Sequence, residues 1–187
     1  MNRLAAALAA AYVLSEMALS VTRRAGRGTA RVADRGSLAL LWIIISVSSY
    51  LAFAMSAKAS LSMGTLAVPG RAVGILLFVA GLAIRWYAIM YLGRFFTVNV
   101  AIASDHQLID AGPYRHVRHP SYSGGLLALA GLGLCIGNWA SVALLTVPTF
   151  LAFSWRIRVE EAALLDGLGT RYQAYMTRTK RLIPGVY

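Results

Sequence analysis

Long apolar runs restrict this chain more than any other feature. Five of them, at about 4–21, 37–57, 71–92, 121–136 and 140–155, are separated by polar stretches that hold nearly all the charge. A run of about twenty apolar residues is long enough to cross roughly 30 Å of hydrocarbon as a helix. Inside a bilayer the backbone must satisfy its own hydrogen bonds, which leaves helices or closed barrels. Runs of this length select helices. The expected fold is therefore an all-α integral membrane protein of about five transmembrane helices in one domain, 1–187. Within it, 1–70 forms a two-span N-terminal region and 71–187 a core of three spans. Composition agrees: 58% of residues are hydrophobic and 13% charged, where a soluble domain has roughly 25% charged. Arg3 precedes the first run, but no small-residue cleavage site closes it, so it reads as a retained span and not a signal peptide.

The net charge is +11. In a soluble chain that excess would suggest nucleic acid. Here the bases lie between the spans, so membrane topology and anionic lipid account for them and no nucleic-acid partner is expected. Arg3, Lys58 and Arg71 fall on one side. Arg23, Arg24, Arg27, Arg31, Arg35, Arg94, Arg115, Arg118 and the bases from Arg156 onward fall on the other. The positive-inside rule makes that second side, and the C-terminus, cytoplasmic. A prokaryotic plasma membrane is the expected location.

Smaller features refine the spans. Gly74, Ala80, Gly81 and Ala83 allow close packing of the third span. Gly131 to Gly137 superficially resembles a glycine-rich dinucleotide fingerprint, but no strand precedes it and helix packing is the better reading. Pro148 is expected to kink the fifth span, and Gly167 and Gly169 to interrupt the helix beyond it. The stretch 93–112 reads as an interfacial segment with room for a small hairpin. Cys135 sits in an apolar run and reads as a buried thiol.

Two charges break the apolar pattern, Glu16 in the first span and Arg85 in the third. A charge at such depth faces protein and needs a partner. Both belong to the inner half of the membrane, so each is the candidate partner of the other.

Spans four and five, joined by Gly137-Asn138, form a helical hairpin whose ends return to one face. That brings two polar clusters together: Ala111–Gly125, AGPYRHVRHPSYSGG, and Arg156-Ile-Arg-Val-Glu-Glu161 at the start of a cytoplasmic helix. Guanidiniums and imidazoles suit an anion, adjacent carboxylates suit a cation or hydroxyls, and tyrosines suit a ring or sulfonium. A zwitterionic, nucleoside-like ligand such as S-adenosylmethionine would use all three. A metal held by His116, His119 and a glutamate is the rival, although HxxH alone is a weak signal and no metal is expected. Lipid headgroup binding with structural ion pairs is a third reading. Neighbouring glutamates lie about 100° apart on a helix, so only one of Glu160 and Glu161 can point squarely at a ligand. The other would pair with Arg115, Arg118 or Arg156. Alanine at Glu161 is expected to weaken cofactor binding more than alanine at Asp166.

Gly112-Pro-Tyr-Arg-His-Val-Arg-His-Pro-Ser-Tyr-Ser-Gly124, then Arg-Val-Glu-Glu161, then Gly169-Thr-Arg-Tyr-Gln-Ala-Tyr175, resembles the isoprenylcysteine carboxyl methyltransferase family. Arg85-Trp86 and Leu92-Gly-Arg94 are similar to it as well. The resemblance covers about 81–184. It implies a membrane enzyme with S-adenosylmethionine at its cytosolic face. Tyr114, Arg118, His119, Pro120, Tyr122, Glu160 and Glu161 are the implied cofactor residues. Arg178, which follows the Tyr-x-x-Tyr pattern, and Arg85 are the candidates to hold a carboxylate acceptor. The acceptor is expected to be lipophilic or lipidated, isoprenylcysteine-like, and to enter from the bilayer between spans three, four and five. A phospholipid or small thiol is the alternative acceptor, and a non-enzymatic lipid-binding scaffold is the alternative from another class.

Overall fold

The computed structural model describes residues 3–22, 36–96 and 108–187, with the backbone of 31–32 and 101–102. Among the described residues six α-helices make the fold: α1 Arg3–Thr22, α2 Ser37–Met55, α3 Ala67–Leu92, α4 Pro120–Ile136, α5 Trp139–Leu168 and α6 Thr170–Arg178. Four of the five apolar stretches become helices long and apolar enough to cross a membrane, and α4, with 17 residues, is the shorter fifth. Its shortness follows from its bounds. Pro120 opens it at a position where a missing N–H is no loss, and Gly137 (φ +83°) ends it in the left-handed region. Asn138 then starts α5, its side chain accepting from the N–H groups of Ala140 and Ser141.

Close backbone contact holds the centre together. α3 lies along α4, and α5 packs on α2 and α4. A Cβ on Gly81 would stand 2.4 Å from the Ala128 nitrogen, and one on Gly124 would stand 2.5 Å from the Gly81 oxygen. Gly74 meets Gly131 and Cys135 in the same way, one heptad earlier. Glycines at these positions let the backbones touch, which is how small residues drive helix association without a hydrophobic effect. Ala83 is exposed and takes no part. Ala5, Tyr12, Ala52, Phe78, Leu129, Leu132 and Leu145 complete a core fed by α1 to α5. Away from it, residues such as Leu14, Ile43 and Leu76 are exposed, as a lipid-facing surface requires.

At the far end of the bundle a buried asparagine links two connections. Asn138, 1% exposed, donates from its side-chain amide to the carbonyls of Met55 (3.2 Å) and Lys58 (3.3 Å). It thereby joins the α2–α3 connection to the α4–α5 turn.

Some expectations change. α5 continues past Gly167 to Leu168, with Pro148 inside it, and Gly169 (φ +56°) stops it. Thirty residues at 1.5 Å each span about 45 Å, more than the roughly 30 Å of a hydrocarbon core, and Glu160 and Glu161 lie in the last third. The segment 93–112 forms no hairpin of its own among the described residues. Ala101–Ile102 instead pairs antiparallel with Arg31–Val32, between the first two spans. Arg23, Arg24, Arg27, Arg35 and 103–107 lie outside the described residues.

Candidate active site

The Glu16–Arg85 pairing is present. Arg85 Nε and Nη2 donate to the two carboxylate oxygens of Glu16 at 2.6 and 2.7 Å, and Nη1 donates to the Ser121 carbonyl at 3.0 Å. Both residues are 8% exposed. One guanidinium thus ties α1, α3 and the first turn of α4 together. Beside it, the Trp86 indole donates to the Ser15 hydroxyl at 2.7 Å.

The hairpin brings the two polar clusters into contact, and the two glutamates separate by direction. Glu160 accepts a short hydrogen bond from the Tyr122 hydroxyl and lies 3.3 Å from Arg156 Nε, which itself donates to the Tyr122 oxygen at 2.8 Å. Glu161 faces the other way. Arg118 Nε donates to it at 2.7 Å, and Arg181 grips its second oxygen at 2.7 and 2.9 Å. His119 sits between the two, Nδ1 3.5 Å from Glu160 and Nε2 3.5 Å from Glu161. Its Nε2 is buried and makes no hydrogen bond of ordinary geometry. Burial alone would lower the His119 pKa, but the two carboxylates 3.5 Å from its ring nitrogens outweigh it and raise the value. Three guanidiniums, Arg118, Arg156 and Arg181, therefore stand against two carboxylates. The cluster carries a surplus of positive charge even before His119 is counted.

A cavity opens beside this cluster. Its polar end is formed by Arg118, His119, Tyr122, Arg156 and Glu160. Its apolar wall comes from Leu19 of α1 and Leu38, Leu41, Trp42 and Ile45 of α2, with Phe153 of α5 below. Tyr114 and Tyr175 close one side. The Tyr175 hydroxyl donates to the Tyr114 carbonyl at 2.6 Å, and the Tyr114 hydroxyl to the Ala88 carbonyl at 3.2 Å. Burial raises the pKa of both phenols, that of Tyr175 to about 12.

Most of the residues singled out in the sequence meet here, but not all in the same way. Tyr114, Arg118, His119, Tyr122, Glu160 and Arg85 line the cavity. Glu161 stands behind the wall, held by its arginines. Pro120 is buried as the first residue of α4. Arg178 lies outside the wall, its side chain 65% exposed and 3.5 Å from Asp110. His116 is exposed, and no group of three or more potential metal ligands is found among the described residues. The cavity is lined by α1 and α2 as well as by Arg85 and Leu92 of α3 and Ser121 and Tyr122 of α4, while further along the α3–α4 seam the glycine contacts bring the two backbones together. Sequence reasoning missed the α2 wall and Arg181. Trp42 is the only sequence signal for the wall, as a large ring in an otherwise aliphatic stretch.

Comparison with known proteins agrees with this geometry. The model of the isoprenylcysteine carboxyl methyltransferase (ICMT) family matches residues 73–166, just over half of the chain and including the polar cluster up to Glu161. A probable protein-S-isoprenylcysteine O-methyltransferase from Oryza sativa subsp. indica is 33% identical over 114 residues, 60% of this chain and 60% of the relative. The protein-S-isoprenylcysteine O-methyltransferase of Schizosaccharomyces pombe is 35% identical over 106 residues, 56% of this chain and 45% of the relative. The match thus covers less than two thirds of either relative's length. Both are eukaryotic and lend no support to a prokaryotic plasma membrane. A solved structure of the eukaryotic intramembrane Ras methyltransferase, isoprenylcysteine carboxyl methyltransferase, aligns with 80% of this chain and 51% of its own, with a TM-score of 0.59 and 26% identity. The family model spans the helices that build the cluster, and the relatives and the solved structure carry the same family name: the chain belongs to the isoprenylcysteine carboxyl methyltransferase family.

Proposed function

We propose that this protein is an intramembrane methyltransferase that uses S-adenosylmethionine to methylate a lipophilic carboxylate of the isoprenylcysteine type. One observation carries the reading: a single cavity has a charged, tyrosine-bearing end and an apolar wall supplied by membrane helices. A polar donor and a lipid-tailed acceptor need such a pair of surfaces next to each other.

The residues present fit the donor. Glu160 offers a carboxylate to its ammonium or ribose hydroxyls. Arg118 and Arg156, with the surplus positive charge around them, favour its carboxylate. Tyr114, Tyr122 and Trp42 offer ring faces to an adenine or a sulfonium. When bound, S-adenosylmethionine supplies a methyl group already activated on sulfur. The chain's own task is then to hold and to exclude water. Trp42, Leu41 and Ile45 keep the acceptor side dry, which strengthens every charge interaction at the polar end. A carboxylate acceptor is already a nucleophile, so no base is required. His119, held toward its protonated form by two glutamates, is not placed to act as one. We assign Arg85 to wall and bundle, through Glu16, and Arg178 to the rim as the candidate for meeting the acceptor. We assign this end of the cavity to the cytoplasmic face, a reading supported by the basic residues that flank the spans on that side.

The test is calorimetric binding of S-adenosylhomocysteine to the purified protein in lipid-supplemented detergent. Glu160→Ala is expected to weaken binding at least about tenfold, as loss of one charge-assisted contact does, and Asp166→Ala, at an exposed site, to leave it unchanged. Arg178→Ala is expected to keep the affinity but lower turnover of a prenylcysteine analogue. Absence of binding in well-folded protein sinks the reading in favour of a lipid-binding scaffold.

A further inference from the structure

The stretch after α6, residues 179–187, lies beyond both the family match and the residues expected to bind the donor. It nevertheless holds the cofactor loop in place. Val117 and Lys180 form a parallel bridge. The backbone N–H of Arg118 donates to the Lys180 carbonyl at 2.8 Å, and that of His119 to the Arg181 carbonyl at 3.0 Å. The Ser123 hydroxyl donates to the Leu182 carbonyl at 2.6 Å, and Leu182 is 3% exposed. The Arg118 guanidinium reaches back to the carbonyls of Met176 and Thr179. Ring and backbone of Tyr187 fold the stretch onto itself: the Tyr187 carbonyl accepts from Leu182 and Ile183, and its ring lies 5.8 Å from the Arg181 guanidinium.

Arg181 is the charged end of this clasp. Its fork takes the Glu161 oxygen that Arg118 leaves open. With it, Glu161 is balanced by two guanidiniums. Without it, one buried carboxylate must be shared by Arg118 and His119, and the cluster falls from three guanidiniums against two carboxylates to two against two. An unbalanced Glu161 would draw Arg118 and His119 away from the cavity and remove the positive surplus a ligand carboxylate needs. We propose that Arg181 is a positioning residue for the donor site: acting through Glu161, it holds Arg118 and His119 at the cavity wall and keeps that wall net positive. This rests on the function proposed above.

A double-mutant cycle tests it, with S-adenosylhomocysteine affinity by calorimetry as readout and thermal unfolding as a check of folding. Wild-type protein is measured first, and failure to bind there refutes the proposed function and not the clasp. Given wild-type binding, Arg181→Gln, which keeps a hydrogen-bond donor but loses the charge, is expected to weaken affinity about tenfold. Arg181→Lys, which keeps the charge, is expected to stay within about threefold of wild type. In a Glu161→Gln background, Arg181→Gln is expected to add less than about threefold. Wild-type affinity in Arg181→Gln, a Lys variant as weak as the Gln variant, or the full tenfold loss in the Glu161→Gln background each overturns the proposal. Should Arg181→Gln not fold, Arg181→Ala in the Glu161→Gln background, where no carboxylate is stranded, replaces it against that same background, with the same threefold criterion.

Discussion

Glu16→Ala leaves Arg85 with two of its three hydrogen-bonded nitrogens unpartnered, at a residue 8% exposed among apolar helices. Removing one member of a buried, bidentate pair costs roughly 3–5 kcal/mol, because the survivor is a buried charge with nothing to balance it. For a chain of this size about 1 kcal/mol moves the melting temperature by roughly 2–4 °C, so Glu16→Ala should melt roughly 6–20 °C below wild type. Arg85→Ala strands the Glu16 carboxylate and frees the Ser121 carbonyl, with a loss of the same order. The double alanine variant removes both charges. Its loss should fall short of the sum of the two single losses by roughly 1–3 kcal/mol. Thermal unfolding followed by circular dichroism, in one detergent at fixed protein concentration, measures all four proteins. Losses that add to within about 0.5 kcal/mol would mean that the two groups do not depend on each other, and the reasoning would fail.

Two further outcomes follow from the packing and the cluster. Gly81→Ala puts a methyl group 2.4 Å from a backbone nitrogen of α4, which no rotamer can relieve. It should cost at least about 1–3 kcal/mol, whereas Gly70→Ala, 3.5 Å from the Met63 sulfur, should be close to neutral by thermal unfolding. His119 has a raised folded-state pKa, so its contribution to stability is complete below the unfolded value of about 6.5 and is lost as pH rises through the folded one. The melting temperature of wild type should therefore fall across that interval, and His119→Gln should flatten the profile; an unchanged slope contradicts the charge on His119.

Hydropathy made the five helices and the Glu16–Arg85 pair legible, because a charge inside an apolar run has few places to go. The meeting of Tyr122 with Glu160 was legible through topology: a hairpin must return its ends to one face. The choice between Glu160 and Glu161 was not, since a step of 100° leaves either one a candidate until the surrounding arginines are placed. Nor was the cavity wall on α2. Leu38, Leu41 and Ile45 face the cavity while Ile43 and Val47 are exposed on the same helix, and aliphatic side chains look alike in sequence whichever they face. Arg181 escaped notice because 179–187 has neither helical periodicity nor an apolar run, and its role depends on backbone pairing with Val117–His119.

The length of α5 has a mechanical consequence. The helix is continuous from Trp139 to Leu168, held at its far end by Asn138 and at its near end by Glu160 and Glu161. A helix longer than the hydrocarbon adapts to bilayer thickness by tilting. Since the same continuous helix carries the apolar stretch around Leu145, Pro148 and the carboxylate at Glu160, a change in tilt of its membrane-spanning part reaches the Tyr122–Glu160–Arg156 contacts through the helix itself. Acyl-chain length in the host membrane thereby becomes a variable of the polar site, although no lipid need touch it.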